Sequence, residues 1–579
     1  MDTARTPVRI ANCSGFYGDR LSAMHEMLTG GEIDYLTGDY LAELTMLILG
    51  RDRMKNPDTG YAKTFLRQLE DCLGIAKDRG VRIVTNAGGL NPAALAAAVR
   101  ALADRLGVAV SVAHVEGDDV LGRAEDFGFS ETVSGGGTLL TANAYLGAWG
   151  IVDCLDSGAD VVVTGRVTDA SVTVGPAAAH FGWSRNDYAM IAGAIAAGHV
   201  IECGTQATGG NYPFFTRDFP NLAALTHPGF PIAEIHADGS SVITKHPGTD
   251  GAVTTDTVTA QLLYEITGAR YANPDATLRL DSIDLTDEGR DRVRISGVTG
   301  EPPSPTLKVS LNSIGGYRNE MTFILTGLDI EAKAELVRRQ LESSLTVTPA
   351  ELEWTLARTD HPDADTEEAA SALFRCVARD PDPDTVGRQF SSAAVQLALA
   401  SYPGFTSTTP PGNGQVYGVF TPAYIPADQV PHQAVHPDGT RTPIPPANQT
   451  LELDSVPTAD LPAALPAGPT QRLPLGTIAG ARSGDKGGSA NIGVWVRTPT
   501  QWRWLAHTLT VEKLRELLPE TADLPVTRHV LDNLRAVNFV IDGILGKGVA
   551  YQARFDPQAK GLGEWLRSRY IDIPEELLS

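Results

Sequence analysis

Along roughly its first 220 residues the chain repeats one pattern: a short β-branched run, a glycine or polar turn, then apolar positions spaced for a helix. VRIANCSGFYGDR opens the series, and LSAMHEML and DYLAELTMLILG read as helices after it. KTFLRQLEDCLGIAKDRG carries apolar residues at helical spacing and leads into VRIVTNAGGLNPAALAAAVRALADRLG, a strand, a glycine turn and a helix. Pro92 falls in the first turn of that helix, where a missing N–H costs nothing. GVAVSVAHVEGDDV predicts another strand. After a glycine-rich hinge at Ser134 to Gly137, NAYLGAWGIVDCLDSG predicts a helix, ADVVVTG a strand and RVTDAS a turn. Strands alternating with helices imply an α/β layer fold with a mostly parallel sheet.

The pattern changes at about Gly229. PIAEIHADGSSVIT alternates with period two around Asp238-Gly239, a hairpin signal. DRVRISGVTG and TLKVSLNSIGGYRNEMTFILTG add strands, and IEAKAELVRRQLESSL is an amphipathic helix. The expected organisation is an α/β core over 1–228, an α+β continuation over 229–452, a Pro/Ala-rich linker over 453–471 and a compact α+β unit over 472–579. In the last unit the expected order is strand, glycine-rich loop, strand, helix (VEKLRELLP), strands AVNFVIDG and VAYQARF, and a final helix around LGEWLRSRY.

Composition narrows the function classes. Lys+Arg 47 against Asp+Glu 70 leaves a net charge of −23, which repels nucleic acid and anionic lipid over most of the surface. Five scattered cysteines without a CxxC pair give neither a disulfide framework nor a zinc or iron–sulfur site. No apolar run reaches the length of a membrane span, and the N-terminus lacks a signal-peptide core. The expectation is a cytoplasmic enzyme. ALAAAVRALADRLG and AMIAGAIAAG are Ala-rich with little charge; the second has almost no polar face, so it is either buried within the domain or pressed against another subunit, and a homo-oligomer is expected.

Candidate chemistry sits in turns. Cys13-Ser14-Gly15 through Asp19, Asn86-Ala87-Gly88-Gly89 before Asn91, and Gly165-Arg166-Val167-Thr168-Asp169 each follow a predicted strand, where open α/β sheets bind ligands. None is a GxGxxG or a P-loop. GHVIECGTQATGGNY supplies Glu202 as an acid or base, Cys203 as a nucleophile or a buried wall residue, and Gln206 and Asn211 as oxyanion donors. In ARSGDKGGSANIGVWV, the three-glycine loop from Ser483 through Asp485 and Lys486 to Asn491, with Arg482 and Lys486 as its cations, suits a carboxylate or phosphate, or else is a solvated hairpin tip. His432 and His436 have HxxxH spacing but prolines and no adjacent glutamate, and read as an exposed loop pair.

VRIANCSGFYGDR, GDYLAELTM, VTNAGGLNP, NAYLGA, TGRVTDAS and IECGTQATGGNY together resemble the core of the acyclic terpene utilisation AtuA family. QLLYEI, TLKVS and YGVFTPAY continue the likeness, and GARSGDKGGSANIGVWVR with LRAVNFVIDGILGKGV resembles the ferredoxin-fold domain that follows this core. The chain departs from the family pattern at Lys547, where a glycine is usual, and at Gln558-Ala559-Lys560, where the pattern is Gln-Gly-Lys. The resemblance implies catabolism of branched terpenes, whose intermediates are acyl-CoA thioesters.

The reading that follows is an enzyme of lyase/hydratase or hydrolase type acting on an acyl-CoA or branched carboxylic acid. No redox cofactor is expected; coenzyme A enters as part of the substrate, and scattered carboxylates leave Mg²⁺ open. Asp169, Glu202 and Cys203 are the expected catalytic residues. Ser14, Asp19, Asn86, Gly88, Gly89, Asn91, Asn143, Arg166, Gln206, Asn211, Ser483, Asp485, Lys486 and Asn491 are the expected binding residues. The alternatives are a non-catalytic acyl-CoA-binding or scaffold subunit of a carboxylase-type complex, and a transferase or ligase holding a nucleotide phosphate at the SGDKGG loop.

Overall fold

The computed structural model describes residues 6–133, 137–409, 412–453, 456 and 460–578. Most of the predicted Ser134 to Gly137 hinge and part of the 453–471 linker lie outside them.

Five strands, Val8–Asn12, Tyr35–Gly38, Arg82–Thr85, Val161–Thr164 and Val112–Glu116, lie side by side in that order, all parallel. Their side chains feed two cores by simple alternation: Ile83, Val112, Val161 and Val163 point to one face, and Val84, Ala113, Val115 and Val162 to the other. A parallel sheet covered on both faces needs apolar residues at consecutive positions, which is why the central run Val161–Thr164 is wholly β-branched. Helices Ala23–Thr29, Lys63–Asp78 and Pro92–Leu106 cover one face; Trp149–Asp156, Ser171–Phe181 and Tyr188–Ile201 cover the other. The prediction of a parallel α/β core is met at this centre. Antiparallel strands from later in the chain widen the sheet to eleven: Pro231–Ile235, Ser241–Lys245, Val293–Ser296 and Asp284–Asp287 on one side, Gln433–Val435 and Arg441–Pro443 on the other.

The helix Tyr188–Ile201 is buried from Ile191 through Ile201 within this chain. Its missing polar face is therefore used inside the molecule and is no reason to invoke a second copy.

A second sheet is built on the 21-residue strand Thr306–Thr326. Gln415–Pro426 and Ser371–Asp380 pair with it antiparallel, and Leu139–Ala144 pairs with its Val309–Ser313 segment. NAYLGA is thus not the start of a helix: Asn143 and Ala144 end a strand whose ladder partners outweigh local helix propensity, and the helix begins at Trp149.

The C-terminal unit is a four-stranded antiparallel sheet in the order Ala479–Lys486, Ser489–Val496, Ala536–Ile541, Val526–Leu531, with helices Pro499–Thr508, Val511–Leu517 and Leu562–Ser568. Three expectations change here. SGDK continues the first strand, and only Gly487-Gly488 turns. VAYQARF is irregular; Arg318 donates to the carbonyls of Ala550 and Gln552, Arg375 to that of Ala553 and Arg379 to that of Tyr551, so side chains satisfy what a ladder otherwise would. Thr470 and Gln471 belong to a strand, Thr470–Pro474, paired with Tyr570–Pro574, and the segment before it is pinned by Arg503 and His507 to the carbonyls of Pro462, Ala463 and Ala464.

Candidate functional site

A cavity of about 550 Å³ opens beyond the carboxyl ends of the parallel strands, where the βα loops converge. Asp19 comes from the loop after Val8–Asn12, Asp39 from the end of Tyr35–Gly38, and Arg166 and Asp169 from the turn after Val161–Thr164. Glu202, Cys203, Gln206 and Asn211 follow the buried helix Tyr188–Ile201. Tyr145, Tyr264, Glu265 and Lys308 close one side, and the C-terminal unit contributes Asp485, Lys486, Gln558 and Lys560.

Two carboxyls here have their pKa raised by burial. Glu202 has one oxygen 3.2 Å from His199 Nδ1, while its buried Oε2 has no hydrogen-bond partner among the described residues. Burial, with Asp169 and Glu265 close by, raises its pKa well above the usual carboxylate range. Burial and Asp169 do the same to Asp39, against the pull of Arg166 and Asn86. His199 is neutral, pushed down to about 4 by burial and by Lys486.

Arg166 is the fixed cation of the floor. Its Nη1 lies 3.0 Å from Asp169 Oδ1 and also donates to the Leu41 carbonyl, and its guanidinium stacks 4.1 Å from the Tyr145 ring centroid. Burial opposes its charge, yet Asp169, Tyr145 and Asp39 outweigh that and push its pKa up. Lys308 Nζ approaches the same ring at 4.9 Å. Lys486 lines the cavity, where its charge acts on Glu202 and His199. Lys560 bridges Glu265 at 2.8 Å and Asp485 at 3.6 Å. Asn211 and Glu265 both adopt left-handed backbone, φ 55 and 54, uncommon outside glycine and often found where function outweighs strain. Among the described residues no group of three or more His, Cys, Asp or Glu side chains is placed to hold a metal.

The profile of the acyclic terpene utilisation family protein AtuA matches residues 8–436, and that of the AtuA ferredoxin-like domain matches residues 473–572. The chain belongs to the AtuA family. Membership carries a role in acyclic terpene utilisation, which is catabolic. No curated protein and no solved structure matches. Among the described residues no helix is long and apolar enough to cross a membrane.

Of the residues singled out in this AtuA-family chain, Asp19, Arg166, Asp169, Glu202, Cys203, Gln206, Asn211, Asp485 and Lys486 line the cavity. The others do not line it. Ser14 donates to the Phe16 carbonyl. Asn86 donates to Asp39 Oδ1 at 2.6 Å and accepts from the Tyr40 amide. Asn91 caps the helix Pro92–Leu106 through the Ala94 amide. Gly88 leaves no room for a side chain, since a Cβ would sit 2.4 Å from the Thr164 carbonyl, and Gly89 has φ 52. Asn143 donates to Asp118 at 2.8 Å. Ser483 receives the Gly563 amide, and Asn491 spans the seam between the C-terminal unit and the core. Cys203 faces the cavity, but burial, Glu202 and Glu265 keep it a thiol.

His432 and His436 are not an exposed pair. His436 Nε2 hydrogen-bonds Thr442 and lies 3.0 Å from Asp153 Oδ2, and His432 lines a separate cavity of about 350 Å³ with Trp149, Arg185 and Asp275. Asp39, Tyr264, Glu265, Lys308 and Lys560 went unselected in the sequence. GDY, QLLYEI and TLKVS carried a signal, since they are blocks of the family resemblance, and Lys560 stands in the departing Gln-Ala-Lys.

Proposed function

We propose that this cavity binds a branched carboxylic acid or its acyl-CoA thioester and moves protons on it, in a lyase/hydratase or hydrolase reaction without a redox cofactor. The observation that carries the reading is Glu202: a carboxyl whose pKa burial raises well above the usual range at the cavity wall, with an oxygen that has no hydrogen-bond partner among the described residues. Such a group donates a proton at neutral pH, which an ordinary carboxylate cannot do. Lys486 and Lys308 supply the positive charge that a substrate carboxylate or thioester enolate needs, and Arg166 fixes Asp169 next to the acid. Cys203 serves as wall.

The test is a panel of branched acyl-CoAs and free acids with mass-spectrometric readout. Glu202→Gln keeps the neutral shape and should fold normally while turnover falls by about a hundredfold or more. Asp169→Asn should weaken turnover by loosening Arg166. Wild-type turnover in both variants would remove the assignment; binding of a panel member with no turnover would replace it with the acyl-CoA-binding reading.

A further inference from the structure

We propose that Tyr264 is a second proton-transfer residue of this cavity, working as a phenolate held by Lys560 and Arg482; the proposal builds on the acid–base reading above but is tested apart from it. Tyr264 lies just after the helix Thr255–Leu262, is almost wholly buried, and lines the cavity. Its hydroxyl meets Lys560 Nζ, and the same Nζ lies 4.5 Å from the ring centroid. On the ring, the Arg482 guanidinium sits at 4.5 Å. Gly484 allows the approach, because a Cβ there would come within 2.7 Å of both the Tyr264 ring and Glu265. Both cations come from the C-terminal unit, so the site is completed only when that unit is docked.

A tyrosine buried merely for packing needs one hydrogen-bond partner at its hydroxyl, and a carbonyl would serve. Two cations brought across a domain seam instead favour the negative form of the ring oxygen. The other charged and titratable groups in the cavity are Glu265 and Asp485, both tied to Lys560; the anions or acids Glu202, Cys203, Asp19, Asp39, Tyr145 and Asp169; and the cations Arg166, Lys308 and Lys486. Glu265 and Asp485 oppose the negative ring oxygen, and Lys560, which pairs with both, offsets them together with Arg482.

The chemistry balances within the protein. In the dehydration direction the Tyr264 phenolate takes the proton from the carbon next to the carbonyl, forming its O–H bond as the C–H bond breaks. The electron pair forms the C=C bond as the C–O bond breaks, and the neutral Glu202 gives its proton to the departing hydroxyl, which leaves as water. The Tyr264 proton then passes to the Glu202 carboxylate and restores both groups; hydration runs the same steps backwards.

Ultraviolet difference titration at the tyrosinate band, on the full-length protein, tests this without any substrate. We expect one of the 15 tyrosines to ionise with a half-point below pH ~9, against about 10 for a free tyrosine. The step should vanish in Tyr264→Phe, move up in Lys560→Met and persist in Lys560→Arg, with circular dichroism confirming that each is folded. A wild-type titration with no tyrosine ionising below pH ~9.5, or a low step that survives Tyr264→Phe, overturns the proposal. A low step with no turnover of any acid or thioester leaves Tyr264 standing and removes the substrate reading instead.

Discussion

Replacing Asn491 by alanine tests the seam between the C-terminal unit and the core. The side chain is fully buried. Its Oδ1 accepts from the Glu265 amide at 2.9 Å, and its Nδ2 donates to the Leu263 carbonyl and to Asn538 Oδ1, each at 2.8 Å. Alanine therefore strips a partner from three buried polar groups at once, two of them on the core backbone beneath Tyr264 and Glu265. At about 1 kcal/mol for each, the loss is about 3 kcal/mol. Calorimetry turns this into a temperature. If residues 473–572 melt as their own unit, an unfolding entropy of about 0.2 kcal/mol per kelvin for ~100 residues makes the drop about 15 °C. If the whole chain melts together, the entropy is about 1.2 kcal/mol per kelvin and the drop is about 2–3 °C. Hydrogen exchange at the Glu265 amide should rise in either case. A melting temperature within about 1 °C of wild type, with that amide still protected, would refute the idea that Asn491 is a structural tie.

Ala559 stands where the family pattern has glycine, and its φ is 54, a left-handed conformation that costs a Cβ-bearing residue roughly 1–2 kcal/mol. Ala559→Gly should stabilise the C-terminal unit by about 0.5–1 kcal/mol after the entropy of the unfolded glycine is counted, and an unchanged or lower melting temperature would count against it. Asp118 is buried under Asn143 and the Arg166 amide, and burial pushes its carboxyl up to about 7. Because the folded state keeps a proton that the unfolded chain releases near pH 4, stability is lost as pH rises from about 4 to about 7, on the order of 4 kcal/mol at most. Asp118→Asn should remove that loss, so wild type should fall behind the variant across this window; a constant difference in melting temperature from pH 5 to 8 would refute it.

The α/β core was legible along the chain because the parallel strands carry short apolar runs and helices such as Lys63–Asp78 are amphipathic, signals that arise within a few residues of one another. The loops carrying Asp19, Arg166, Asp169, Glu202 and Gln206 were legible for the same reason: a polar cluster after a strand must lie at the sheet's carboxyl edge. NAYLGA shows where that logic stops. Its residues favour a helix locally, yet Asn143 ends a strand because Ser310, 167 positions later, supplies the ladder across from it. Asn86, Asn91, Ser483 and Asn491 have the chemistry of ligand contacts, and only the three-dimensional path of the backbone turned their hydrogen bonds inward to amides and carbonyls. The opposite happened to Tyr264 and Lys560, an ordinary helix-end residue and an ordinary surface-type cation. They meet because two separately legible units dock on one another, and docking is set by shape and buried hydrogen bonds that no stretch of either unit contains alone.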